Sequence, residues 1–207
     1  MRHLVIMAKA PRFGRVKTRL GADVGMARAT RFYRSSLSQI CTRLWAPRKW
    51  RLVLAIADES DTLRSFAGVA PPSALGILYQ GRGGLGARLE TVFRQLHPQP
   101  TVVIGSDVPA LTQGDLDRAF ACLMSHDAVV GPSSDGGYWM IGARGRAWPP
   151  HALAGVRWST EHALADTVGR LAGLRVGFAH ALDDVDDAAG LVRAGRSEGR
   201  FVLPAER

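Results

Sequence analysis

The 207-residue chain, 46% hydrophobic and 22% charged, has the balance of an ordinary globular protein and is long enough for one domain with a sizeable core. No run reaches the ~18 apolar residues of a membrane helix, and two cysteines lying far apart, Cys41 and Cys122, exclude a disulfide framework and read as buried free thiols. The net charge of +9 is unevenly spread: residues 1–51 hold thirteen Lys/Arg against Asp23 alone, and the remainder is mildly acidic.

The chain opens with a short apolar run, His3 to Ala8, that predicts a first β-strand. It is followed by KAPRFGRVKTRL, residues 9–20, in which Lys9, Arg12, Arg15, Lys17 and Arg19 fall within twelve residues. A cation-dense loop after a strand is suited to phosphate oxygens, for which Arg offers a planar fork and Lys a point charge. Gly25 to Trp45 then predicts one amphipathic helix, ended by Pro47. Strands are predicted at 50–57 and 74–80, with a short helix over 61–67 between them.

The third strand runs into Gly81-Arg82-Gly83-Gly84-Leu85-Gly86, and a helix with Leu89, Val92 and Phe93 on one face follows. Thr101 to Ser106 is the clearest strand and ends at Asp107. Thr112-x-x-Asp115 predicts a capping box at the start of the next helix. A strand over 127–132 turns at Asp135-Gly136-Gly137 into a second, 138–142, as an antiparallel hairpin. A helix from Ser159 or Thr160 to Leu171 and a strand over 174–181 lead to Asp183, Asp184, Asp186 and Asp187, which could open a terminal helix. Alternation of this kind predicts one domain with a mostly parallel sheet and helices on both faces.

In such sheets ligands bind beyond the carboxyl ends of the strands. The basic loop is not a Walker A sequence, since the second glycine of that pattern is missing before Lys17-Thr18. The 81–86 cluster matches G-x-G-x-x-G between a strand and a helix, with Asp107 following 21 residues after Gly86, so a dinucleotide reading stands beside a plain turn and a nucleotide-bordering loop. A carboxylate at a buried strand end, Asp107, needs a cation, either Mg²⁺ with substrate phosphates or an arginine. The four acids over 183–187 repel one another unless neutralised, or they sit solvated at a helix start. No histidine pair has metal-ligand spacing and no G-x-S-x-G elbow occurs. The basic quarter also admits nucleic acid, although no zinc-finger spacing or RNA-recognition motif accompanies it.

Taken together, MAKAPRFGRVKTRL, GRGGLGARL, VVIGSDVPALT, GPSSDGGYWMIG, WST and DDVDD resemble the DUF2064 group of glycosyltransferase-A-like proteins, relatives of the 2-phospholactate guanylyltransferases and molybdenum cofactor nucleotidyltransferases. The resemblance implies a single-domain, Rossmann-like nucleotide-diphospho-sugar transferase fold with an antiparallel hairpin inserted into a mostly parallel sheet. It implies transfer from an activated nucleotide: glycosyl transfer from an NDP-sugar to a small acceptor first, nucleotidyl transfer from an NTP to a phosphorylated small molecule second, and a non-enzymatic nucleotide-binding module third. Lys9, Arg12, Arg15, Lys17 and Arg19 would meet the phosphates, and Gly84, Leu85, Gly86 and Arg88 would border the nucleotide. Asp107, Asp184 and Asp186 would hold Mg²⁺ or Mn²⁺, with GSDVP carrying one acid where a DxD motif carries two. Gly136, Gly137 and Tyr138 would face the acceptor, with Lys17, Asp107 and Asp135 as catalytic residues and Asp135 as the general base. A cytoplasmic protein without a signal peptide, nucleic-acid partner or membrane span, and able to form a homodimer, completes the expectation.

Overall fold

The computed structural model describes residues 1–69, 76–145 and 151–182. Seven strands, β1 (His3–Ala8), β2 (Arg51–Ile56), β3 (Gly76–Tyr79), β4 (Thr101–Ile104), β5 (Ala128–Pro132), β6 (Tyr138–Ala143) and β7 (Val176–Phe178), form one sheet in the order β3-β2-β1-β4-β6-β5-β7. β1 pairs in parallel with β2 and β4, and β2 with β3. β6 is antiparallel to both neighbours, β4 and β5, while β7 returns parallel to β5. The expected hairpin therefore does not hang off the sheet. It places its second strand between β4 and β5.

The helices α1 (Thr18–Val24), α2 (Met26–Arg43), α3 (Leu85–Leu96), α4 (Gln113–Cys122) and α5 (Ala163–Arg170) cover the sheet, and a 3₁₀ turn spans Leu63–Phe66. β1 is apolar from Leu4 to Ala8 because both of its faces are covered. Leu4 and Ile6 join the core that takes in Leu37 and Ile40 of α2 and Leu116 and Phe120 of α4. Val5 points to the other face, where Leu89, Val92 and Phe93 of α3 are buried and Leu164 of α5 packs in part. This period-two division of one strand between two helical layers makes the fold doubly wound. Thr112 caps α4 as its sequence predicts, with Asp115 completing the box.

Two expectations change. The single helix over 25–45 is preceded by a separate one, α1, so the basic stretch is a loop only as far as Lys17. Lys17 is the N-cap of α1, and the two helices break at Gly25 (φ 89°), a backbone angle an L-residue rarely adopts. The helix expected over 159–171 begins only at Ala163. The acids at 183, 184, 186 and 187, and the terminal helix they were expected to open, lie outside the described residues.

Strand direction decides where the loops meet. The carboxyl ends of β1, β2, β3 and β4 share one edge of the sheet. Because β6 is antiparallel, the 133–137 turn before Tyr138 lies at that same edge. After β1 the chain winds toward β2 and β3, and after β4 toward the opposite side. The boundary between β1 and β4 is thus a topological switch point, the place where open α/β sheets bind ligands.

Candidate active site

A cavity of about 480 Å³ opens at the switch point, lined in part by Lys9, Lys17, Tyr33, Gln80, Arg88 and Asp107. Its centre is an ion pair. The ammonium of Lys17, arriving on the loop after β1, donates to the Asp107 carboxylate, arriving on the loop after β4. The side chains are 8% and 19% exposed. Lys17 holds left-handed backbone angles (φ 47°, ψ 49°), a conformation costing a non-glycine residue of the order of 1 kcal/mol or more and concentrated at functional sites.

The end of β1 is pinned from below by α2. The Tyr33 hydroxyl accepts from the Lys9 amide and donates to the Lys9 carbonyl, both at 3.0 Å. Burial pushes the phenol above its ordinary pKa, so it remains a neutral donor and acceptor. Gln80, 3% exposed, ties three strand ends together. Its amide donates to Ala55 O of β2 at 2.5 Å and to Ala8 O of β1 at 3.4 Å, and its carbonyl accepts from Arg88 at 3.4 Å. Arg88 also donates to Gly83 O at 2.9 Å, so the guanidinium is held at the cavity by the loop it follows.

The 81–86 glycines divide by role. Gly81 and Gly83 take positive φ. Gly84 is the N-cap of α3 and has no atom within 4 Å of where a Cβ would stand, whereas a Cβ on Gly86 would lie 2.9 Å from Leu153 O. Gly83 and Leu85 line the cavity, and Gly86 serves helix packing. Leu85, 42% exposed, is an apolar side chain kept at the cavity mouth.

Arg12 and Arg15 do not line this cavity. They line an adjoining one of about 310 Å³, together with Ala57, Asp58 and Asp61 from the end of β2; Lys9 and Arg88 border both. Arg12 is bound to the buried Asp61 at 2.5 Å and lies 3.9 Å from Asp58. Hydrogen bonds from Ser60 hold the Asp58 carboxyl below its ordinary range. Arg19 is exposed on α1 and lines neither cavity. Tyr33, Gln80, Ser106, Asp58 and Asp61 are the site residues that the sequence reading passed over. Asp58 and Gln80 carried a readable signal, since each is a polar residue at the end of an apolar strand, as Asp107 is.

The 133–137 turn reaches the same sheet edge through β6. Gly105 N bonds to Trp139 O at 3.3 Å, setting the turn beside the β4 loop. Asp135 does not line either cavity; its Oδ1 accepts from Ser133 Oγ at 2.6 Å and from Gly137 N at 2.9 Å, closing its own turn. Gly136 (φ 81°) packs against the chain before α5, where a Cβ would stand 2.2 Å from Glu161 O. The Tyr138 hydroxyl accepts from Thr167 at 3.3 Å, and its ring meets Trp158 edge-on.

Among the described residues no three His, Cys, Asp or Glu side chains are grouped to hold a metal. Asp107 is the carboxylate in the larger cavity, and Lys17 already engages it. One carboxylate facing a phosphate-sized cavity fits an ion that arrives on substrate phosphates, and not a resident ion caged by protein. Asp184 and Asp186 lie outside the described residues. The described chain ends at Leu182, whose amide donates to Pro132 O at 3.1 Å.

No curated protein matches the sequence. Among solved structures, the chain is similar to a Desulfovibrio desulfuricans G20 protein assigned to the nucleotide-diphospho-sugar transferases, at 27% identity and TM-score 0.83, over 98% of this chain and 89% of that one. It shares its fold with molybdopterin-guanine dinucleotide biosynthesis protein A from Archaeoglobus fulgidus (14% identity, TM-score 0.56, 97% and 100% covered). It shares it too with glucosyl-3-phosphoglycerate synthase from Mycobacterium tuberculosis, solved with Mn²⁺, UDP and glucosyl-3-phosphoglycerate (9% identity, TM-score 0.55, 95% and 76% covered). The fold is that of the nucleotide-diphospho-sugar transferases. Among the described residues no helix is long and apolar enough to cross a membrane. The family model for an uncharacterized protein conserved in bacteria, DUF2064, matches residues 41–160, a span that takes in the glycine cluster, Asp107 and the 133–137 turn, and with more than half of its length so matched the chain belongs to the DUF2064 family.

Proposed function

We propose that the protein is a transferase acting on an activated nucleotide, with glycosyl transfer from an NDP-sugar to a small acceptor as the leading reading. The observation that carries it is the Lys17–Asp107 pair at the switch point, flanked by Lys9 and Arg88, in a cavity of about 480 Å³. The volume falls within the range of small-molecule sites. Among the described residues, three cations against one carboxylate give it a preference for anions.

In this reading the nucleotide phosphates lie against Lys9, Lys17 and Arg88, where ammonium and guanidinium groups stabilise the charge that gathers on the leaving diphosphate. The α3 N-terminus, capped by a residue with no side chain, adds backbone donors toward the same cavity. Leu85 supplies apolar surface for a base or ribose at the mouth. Gln80 and Tyr33 do not touch substrate; they fix Arg88 and the β1 end, so the charges need little reorganisation during the reaction. A Mg²⁺ or Mn²⁺ ion held by Asp107 together with substrate phosphates would supply further charge neutralisation. Gly137 and Tyr138, beside the β4 loop, flank the side from which an acceptor would approach. Asp135 serves as base through Oδ2, while Ser133 and Gly137 hold its Oδ1.

A second reading, nucleotidyl transfer from an NTP, is favoured by one observation. The adjoining cavity, where Arg12 is already paired with Asp61, adds Arg15 beside Lys9 and Arg88, which is charge for one phosphate more than a diphosphate carries. Incubation with a panel of NDP-sugars and NTPs, with Mg²⁺ or Mn²⁺ and phosphorylated and neutral acceptors, separates the two. NDP release marks glycosyl transfer and pyrophosphate release marks nucleotidyl transfer. Binding by calorimetry without either product would leave a nucleotide-binding module.

A further inference from the structure

The sheet edge that holds the cavities also carries a row of exposed apolar side chains. Phe13 follows β1, Leu63 follows β2 and Leu85 follows β3, and these three strands are neighbours in the sheet. We propose that this edge docks on an anionic phospholipid bilayer, with Phe13 and Leu63 entering the boundary between headgroups and acyl chains and the arginines of the basic quarter lying against the headgroups.

Phe13, 70% exposed, is held out by its backbone. Arg15 N bonds to Arg12 O at 3.0 Å across a turn with Gly14 at φ 69°, and buried Ala10 and Val16 fix the turn on either side. Phe13 lines neither cavity, so a ligand in the site does not account for it. Arg12, Arg15 and Arg19 are exposed around it. Because α2 leads into the start of β2, its own first turns lie at the same edge, where Tyr33 bonds to the Lys9 amide. The buried face of α2 takes Ala29, Phe32 and Tyr33, which leaves Arg28 and Arg31 exposed and one turn apart on the other face. Asp23 is the one acid among residues 1–51. Asp58 and Glu59, beside Leu63, are offset by Arg12, 3.9 Å from Asp58, and by the exposed Arg64. A cationic surface with apolar tips matches an anionic bilayer, which attracts basic side chains and takes up apolar ones. Nucleic acid would use the arginines and Phe13, but the aliphatic Leu63 and Leu85 give a base no ring to stack on. Docking in this pose turns both cavities toward the headgroups. It requires no nucleotide, so it stands or falls apart from the transferase reading.

The test is co-sedimentation of the full chain with vesicles of phosphatidylcholine alone and of phosphatidylcholine with about one-third phosphatidylglycerol. Binding is expected to the anionic vesicles, and almost none to the neutral ones. Arg28→Ala with Arg31→Ala should weaken it about tenfold or more, whereas Arg48→Ala with Lys49→Ala, on the exposed loop before β2 at the opposite edge, should weaken it less than about threefold. Phe13→Ser and Leu63→Ser should each weaken it by about threefold or more. Phe13→Trp should bind as wild type does, and brominated phospholipid should quench its added fluorescence. Circular dichroism confirms that each variant is folded, and the wild-type arms decide the question if one is not. Wild-type protein that ignores anionic vesicles, or binds neutral ones equally, overturns the proposal. So does an equal loss from the two cationic pairs, or wild-type affinity in Phe13→Ser. Retention of an oligonucleotide at protein concentrations too low for vesicle binding assigns the arginines to nucleic acid and overturns it as well.

Discussion

Gln80→Met tests whether the site is held by the buried amide that joins β1, β2 and α3. Methionine nearly conserves the volume, so the substitution removes hydrogen bonds without opening a cavity. Of the three bonds made by the Gln80 side chain, the one to Ala55 O is short at 2.5 Å, and those to Ala8 O and from Arg88 are long at 3.4 Å. One good bond lost beside a buried carbonyl costs about 1–3 kcal/mol, and the long ones add little. With a urea m-value of about 2–3 kcal/mol/M, the midpoint should fall by roughly 0.5–1 M. Arg88 keeps its bond to Gly83 O at 2.9 Å, so nucleotide affinity should fall only about threefold to tenfold, or 0.6–1.4 kcal/mol. Arg88→Ala, which removes the charge, should cost more affinity and less stability. Urea unfolding followed by fluorescence, with calorimetry against the nucleotide that binds best, reads both quantities. A midpoint shift under about 0.2 M would show that the amide is not a structural tie, and an affinity loss equal to that of Arg88→Ala would show that Gln80 itself touches the ligand.

Gly136→Ala sets a methyl 2.2 Å from Glu161 O at φ 81°, and should lower the melting temperature by roughly 4–8 °C for a cost of about 2 kcal/mol; a change within 1 °C by calorimetry would refute the close approach. Gly84→Ala meets open space and should leave stability within about 0.5 kcal/mol while weakening nucleotide binding, whereas Gly86→Ala, 2.9 Å from Leu153 O, should destabilise; equal effects from the two in a urea titration would refute the division of roles. Burial raises the Cys41 thiol from 9.0 to about 12, and it raises the phenols of Tyr33 and Tyr138. The native state then keeps protons that the unfolded chain gives up, so stability present below about pH 9 should be lost as pH rises toward 12. Urea midpoints measured from pH 8 to 11 should fall, and a flat profile contradicts the burial of these groups.

The fold was legible where one principle dominated. The apolar runs of β1, β2 and β4 predict strands because buried parallel strands tolerate little else, and Thr112 with Asp115 predicts the α4 start because a capping box is a local device. The helix α1 was less visible, since its seven residues follow directly on the basic run and hold too few apolar positions to show a helical period. The rank of β6 within the sheet could not be read at all. A hairpin turn at 135–137 states that β5 and β6 pair, but whether β6 then lies at an edge or next to β4 depends on contacts between residues far apart in the chain, such as Ile104 with Met140.

The basic loop shows the limit most clearly, because charge counted along the sequence is not charge available in the fold. Five cations within twelve residues suggest one phosphate cradle. In space they separate: Lys17 is paired with Asp107, Arg12 with Asp61, Arg15 lines the adjoining cavity, Arg19 faces solvent, and Lys9 stands at the wall between the two cavities. The acids responsible come from the loops after β2 and β4, 49 and 90 residues downstream of the cations they pair with. Asp107 is marked in the sequence by its place after an apolar strand, and Asp61 only as part of the mildly acidic remainder. The pairing changes what the loop can do. A cradle of unpaired cations would bind any polyanion, whereas phosphate reaching Lys17 competes with the Asp107 carboxylate for its ammonium. Asp107→Asn should therefore strengthen the binding of a nucleoside diphosphate measured by calorimetry without divalent cation, and an unchanged or weaker affinity would show that the carboxylate does not compete for Lys17.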